Sequence, residues 1–80
     1  SLVNIDHDCH IGQLSNLAPG VILAGRVNIG ERVFIYTGAK IIPDIKVGNF
    51  AIVGAGACVL EDVRPKTTVV GVPAREIDIL

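Results

Sequence analysis

Eighty residues make one domain with little apolar core per residue, and a chain this short commonly needs assembly, metal or disulfides to complete a stable fold. The formal net charge of −1 supplies no basic field for nucleic acid, and no apolar run approaches the ~20 residues needed to span a bilayer. Half of the residues are hydrophobic, yet the aromatic complement is Phe34, Tyr36 and Phe50, with no Trp or Met; the interior must come from Ile, Val, Leu and Ala, which favours strands.

The first element is the stretch IDHDCHIG, residues 5–12, where two histidines, two aspartates and a cysteine interrupt an otherwise aliphatic chain. A metal site is one reading, through His7, Cys9 and His10. Positions three apart on a strand face opposite ways, however, and no second Cys or His group follows, so no metal is expected. A thiol nucleophile at Cys9, activated by His7 or His10, is a second reading. The third is a general base held by a carboxylate, and Asp6 and Asp8 flank His7 on both sides. Cys9 and Cys58 form no disulfide framework and no segment reads as a signal peptide, which predicts a reducing cytoplasm.

From Ile5 onward a period of six runs through the chain. Ile5, Ile11, Leu17, Leu23, Ile29, Ile35, Ile41, Val47, Val53 and Val59 form an unbroken series of branched aliphatics. Four positions beyond each anchor stands a small or β-branched residue, from Cys9 and Ser15 through Val21, Val27, Val33, Ala39, Ile45, Ala51 and Ala57 to Val63. Gly12, Gly30, Gly48 and Gly54 follow their anchors directly, with Ala18 and Ala24 in two other hexads. Neither helical spacing nor a hairpin rhythm fits. The pattern predicts a solenoid in which each hexad is one short strand and one bend, the anchor fills the interior, and glycine permits the turn. Stacked coils then pair their strands at roughly 4.8 Å and share one narrow aliphatic core, too thin for aromatic rings.

These hexads resemble the hexapeptide-repeat acyltransferases over residues 3 to 76. The resemblance implies an all-β fold, a single-stranded left-handed parallel β-helix with three hexads to a coil. Its handedness comes from the family alone, since periodicity is blind to it. IDHDCHIGQLSNLAPG near the start and VVGVPAREI near the end are similar to motifs of bacterial sugar acetyltransferases that modify nucleotide-linked amino-sugars or sialic acid. By that likeness residues 1–80 are the acetyltransferase domain, the C-terminal part of a longer chain whose N-terminal βαβ domain holds the nucleotide.

The same likeness assigns His7 as general base and Asp8 as the acidic partner that raises its basicity, with Asp6 left open. Acetyl transfer to an amine or hydroxyl requires loss of a proton during attack, and imidazole changes charge close to working pH. The implied donor is acetyl-CoA, contacted at Asn16, Thr37 and Ala55, the last two mainly through backbone, while Lys66 and Arg75 are candidates for its phosphates. Pro73 in GVPAR should stop strand pairing at the last coil. The implied assembly is a homotrimer with sites between subunits, and Leu14, Phe34, Tyr36 and Phe50 are its candidate contacts. The expected activity is acetyl transfer to an amino-sugar. The alternatives are O-acetylation of a sialic acid-like sugar and a non-catalytic trimerisation scaffold.

Three hexads per coil would stack residues eighteen apart. Asp8, Arg26, Asp44 and Asp62 then make one outward column, in which Asp8 is an ordinary surface partner of Arg26. His10, Asn28, Lys46 and Arg64 make another, a solvated face with His10 as the fallback base. Cys9 falls at an interior position, which favours a buried thiol over a nucleophile.

Overall fold

The computed structural model describes residues 3–77. The first coil carries β1 (Asn4–Ile5), β2 (His10–Ile11) and β3 (Asn16–Leu17). The second carries β4 (Ile22–Leu23), β5 (Asn28–Ile29) and β6 (Phe34–Ile35), and the third β7 (Lys40–Ile41), β8 (Lys46–Val47) and β9 (Ile52–Val53). The last coil has β10 (Cys58–Val59) and β11 (Thr68–Val70), and β12 (Arg75–Ile77) follows. Three sheets result: sheet A is β1-β4-β7-β10, sheet B is β2-β5-β8, and sheet C is β3-β6-β9-β11-β12. Parallel partners such as Asn4 and Ile22, His10 and Asn28, or Asn16 and Phe34 stand eighteen residues apart, so three hexads close one coil. The chain is a left-handed parallel β-helix, a prism with extents of 35 × 22 × 21 Å.

Burial follows the hexad. The anchors from Leu23 to Val59 are at most 2% exposed, and the small positions from Val21 to Ala57 fill the spaces between them. Anchors of the first coil are less covered: Ile11 and Leu17 are half-buried and Ile5 is 49% exposed, because among the described residues no coil lies beneath them. Ile35 sits mid-stack at 0% exposure. Ile35→Ala should lower unfolding stability by about 2–5 kcal/mol, read as a fall in urea midpoint at unchanged slope, because the rigid coils cannot close the cavity.

The bend lies elsewhere than the glycines suggest. Left-handed backbone recurs at Asp8, Leu14, Gly20, Arg26, Arg32, Gly38, Asp44, Phe50 and Gly56, three positions beyond each anchor. A bulky residue in that conformation costs about 1–2 kcal/mol. A corner ladder offsets it: the left-handed residue's N–H donates to a carbonyl of the coil before, as in Arg26 to His7 (3.0 Å), Asp44 to Gly25 (3.1 Å) and Gly56 to Thr37 (2.9 Å). Gly12 and Gly48 serve close approach instead. An added Cβ would lie 2.6 Å from the carbonyl carbon of Gly30 or 2.5 Å from the nitrogen of Pro65.

Two further expectations are corrected after Val59. Val63 bridges Val47 and Thr68 pairs with Ile52, both sixteen residues apart, so the last coil is two residues shorter and Val63 and Val69 become its anchors. Asp62 therefore leaves the Asp44 column and accepts the Lys46 N–H (2.9 Å), while Arg64 pairs with Glu76 through two bonds of 2.8 and 2.7 Å. Pairing also does not end at Pro73. Residues 71–74 reverse the chain, with Cys58 N–H on Gly71 O (3.0 Å) and Ala74 N–H on Cys58 O (2.9 Å), and β12 then runs antiparallel to β11. The proline sits in the reversal, where no ladder donor is required.

Candidate active site

His7 occupies the corner between sheets A and B on the first coil. Its backbone is fixed from two sides: its carbonyl accepts the Arg26 N–H, and its own N–H donates to Asp6 Oδ1 (2.7 Å). The same carboxylate oxygen lies 2.9 Å from His7 Nδ1. The acid within hydrogen-bond reach of the ring is thus Asp6, the partner left open beside Asp8. Asp6 can reach back over the adjacent peptide to both donors. Asp8 takes the left-handed turn conformation and makes no hydrogen bond to the ring.

Hydrogen bonds from the His7 ring and backbone hold the Asp6 carboxyl below the ordinary carboxylate range. Asp6 is therefore an acceptor near neutral pH, so the proton shared at this contact belongs to Nδ1, and Nε2 is the ring nitrogen that faces Arg26. The sign follows from the direction: this pairing is present above the ordinary Asp value and is lost only as pH falls through the depressed one. Arg26 stands beside Nε2, its NH1 3.5 Å away. That guanidinium is committed to Asp44, with Nε–Oδ1 at 2.6 Å and NH2–Oδ2 at 3.1 Å, a charge-assisted fork that raises the Arg26 pKa and depresses that of Asp44. The surface pair involves Asp44 where Asp8 had been considered.

Gly25, one coil above His7 and buried, carries the ring against its bare α-carbon. Sequence reasoning passed over it. The available signal was a glycine eighteen residues beyond His7 and outside the position that follows an anchor.

The remaining candidates lie apart from His7. Asn16 is exposed on sheet C. Thr37 and Ala55 stand one above the other at the corner joining sheet C to sheet A, where Thr37 Oγ1 donates to Pro19 O (2.7 Å). The full width of sheet A separates that corner from His7. Lys66 lies at the corner between sheets B and C, its N–H on Asn49 O (2.9 Å), whereas Arg75 on β12 shares a depression with Leu60, Glu61, Pro73 and Ala74. The two cations are not brought together. His10 projects from sheet B in register with Asn28 and Lys46. Cys9 is half-buried, its Sγ donating to Ala24 O (3.1 Å), and Cys58 is likewise half-buried and unpaired. Among the described residues no three His, Cys, Asp or Glu side chains cluster as metal ligands, and no helix is long and apolar enough to cross a membrane.

Comparison with known proteins gives a consistent picture. Residues 26–61 match the six-repeat model of the bacterial transferase hexapeptide family. Serine acetyltransferase of Bacillus pumilus is 39% identical over 94% of this chain, and that of Escherichia coli K12 is 55% identical over 59% of it. A mutant of perosamine N-acetyltransferase from Caulobacter crescentus, solved with CoA and GDP-perosamine, superposes with a TM-score of 0.94 at 39% identity over 96% of this chain. The chain spans only 38% of the Bacillus enzyme, 17% of the Escherichia enzyme and 37% of the Caulobacter chain. A prism wound in hexads, with residues 26–61 matched by the family model and more than nine-tenths of its course followed by the Bacillus and Caulobacter acetyltransferases, belongs to the hexapeptide-repeat transferase family.

Proposed function

We propose that this chain is the base-bearing and donor-binding part of a CoA-dependent acetyltransferase, with His7 as general base and Asp6 as the carboxylate that orients it. The observation that carries the reading is the 2.9 Å contact from Asp6 to Nδ1, which leaves Nε2 as the acceptor nitrogen on an exposed corner, where Arg26 NH1 reaches it only at 3.5 Å and an acceptor substrate would take that place. The acceptor's nitrogen or oxygen attacks the thioester carbonyl and loses its proton to Nε2. The carbon–sulfur bond breaks, and the CoA thiolate leaves and takes up a proton. No acyl-enzyme is required. The stacked corner of Thr37 and Ala55 would hold the pantetheine arm through its peptide groups, with Asn16 beside it and Lys66 or Arg75 toward the phosphates. The setting is the cytoplasm, which keeps Cys9 and Cys58 reduced.

The acceptor on this reading is the amino group of a nucleotide-linked sugar, supported by the 0.94 TM-score likeness to a protein solved with GDP-perosamine. A second acceptor, the hydroxyl of serine, is favoured by the serine acetyltransferases among the curated relatives. Thiol release from acetyl-CoA with GDP-perosamine, a sialic acid and L-serine as acceptors tests both, and failure with every acceptor leaves the scaffold reading. In the active pairing, Asp6→Asn should lower kcat by roughly 10–10²-fold and Asp8→Asn by less than about 3-fold. The reverse order would return the orienting role to Asp8.

A further inference from the structure

We infer that Gly25 is a positioning residue for the His7 imidazole, its bare α-carbon being the seat against which the ring is held on Asp6. An ideal Cβ built on Gly25 would lie 3.0 Å from Cε1, 3.2 Å from Nε2 and 3.6 Å from Nδ1 of His7. Those three nearest atoms all belong to the imidazole. Gly25 differs in this from Gly12 and Gly48, where an added Cβ meets backbone or a proline ring, and from Gly20, Gly38 and Gly56, which turn the chain at positive φ. Gly25 is not among the positive-φ positions, so its conformation accepts an L side chain. Packing and backbone thus give no other reason for glycine here.

The ring must yield to a methyl group, because the surrounding backbone is held. The His7 carbonyl is tied to Arg26 N–H at 3.0 Å, the Gly25 carbonyl to Asp44 N–H at 3.1 Å, and Asp6 Oδ1 to the His7 N–H at 2.7 Å. The His7 side chain is 62% exposed, so it moves outward at little cost to the fold. That movement stretches the 2.9 Å contact between Nδ1 and Asp6 and shifts Nε2. A misplaced reactive group costs up to about 10²-fold per ångström, and a shift of a few tenths should cost about 10-fold. The kinetic consequence rests on His7 being the base; the seating of the ring does not.

Two histidines in the chain make the test direct. With ¹⁵N-labelled histidine, and His10→Gln to assign the second ring, the wild-type His7 should show the Nδ1-protonated tautomer and a nuclear Overhauser contact from its Hε1 to the Gly25 α-protons. Gly25→Ala should retain the thermal midpoint, shift the His7 ring toward averaged tautomers, and lower kcat about 10-fold with KM for acetyl-CoA within about 2-fold. Absence of the Overhauser contact in the wild-type overturns the inference without any variant, and so do unaltered ring signals in a folded Gly25→Ala chain. Altered ring signals in a chain that transfers acetyl to no acceptor would support the seating and refute the base assignment.

Discussion

Replacing His7 by alanine should lower acetyl transfer by roughly 10²–10⁴-fold while leaving the coils and CoA binding intact. The fold is indifferent to the change because the side chain lies outside the aliphatic core and the groups that fix this corner are backbone: the His7 carbonyl on Arg26 and the His7 N–H on Asp6. Chemistry is not indifferent. Without Nε2, the attacking amine or hydroxyl is left at this corner with carboxylates, which are much weaker bases than imidazole, and Arg26, a cation committed to Asp44, accepts no proton. Initial rates of CoA thiol release, beside a thermal melt and a CoA titration, check the outcome. His10→Ala is the matched control: it removes an exposed imidazole from sheet B that touches neither Asp6 nor Arg26. Wild-type turnover in His7→Ala with loss in His10→Ala would move the base to His10. An acetylated Cys9 recovered by mass spectrometry would replace direct transfer with a thiol intermediate.

The interior of this protein was legible because a solenoid writes its core into the sequence once per hexad. Every residue from Leu23 to Val59 on the six-residue series is buried, and the small partners fit between them. The corners were less legible, because the left-handed residue can be Asp, Leu, Arg or Phe once a coil-to-coil hydrogen bond holds it, so composition carries little signal there. Glycine drew attention to the wrong position: Gly12 and Gly48 answer to a neighbouring backbone or proline ring, a contact eighteen or so residues away that local reading does not supply. The shortened last coil did leave a trace. Val63 and Val69 continue the six-residue spacing at a new phase, and Pro65 falls where the old phase required an anchor. At the candidate site His7 stood out by residue type. Its partner did not, because Asp6 and Asp8 are equivalent in sequence and only the corner's backbone conformation separates them.

If base and donor meet between copies of the chain, a monomer should transfer no acetyl even where its prism stays folded. Within one chain His7 stands at the corner between sheets A and B and the Thr37–Ala55 column at the corner between sheets C and A, with the face of sheet A between them. A thioester held along the second corner of the same chain therefore does not lie beside the first. A neighbour in a closed ring can present its donor corner to this His7, and three-fold closure suits a triangular prism with one repeated heterologous contact. The surface offers the material for that contact. Phe34 and Tyr36 stack at 5.8 Å on the outside of sheet C, 45% and 47% exposed, with Leu14 and Phe50 at the adjoining corner. Exposed apolar groups gathered in this way are the candidate contact for such a ring. Light scattering should show a trimer that loses acetyl transfer on dilution to monomer. Co-expression of two defective chains gives the sharper result: His7→Ala keeps a donor corner, Ala55→Trp blocks that corner and keeps the base, and each alone is inactive. If base and donor meet between chains, random mixing restores about a quarter of the sites, since each needs one intact half from either parent. No recovery from a mixed trimer, or full turnover by the monomer, would place both halves of the site within one chain.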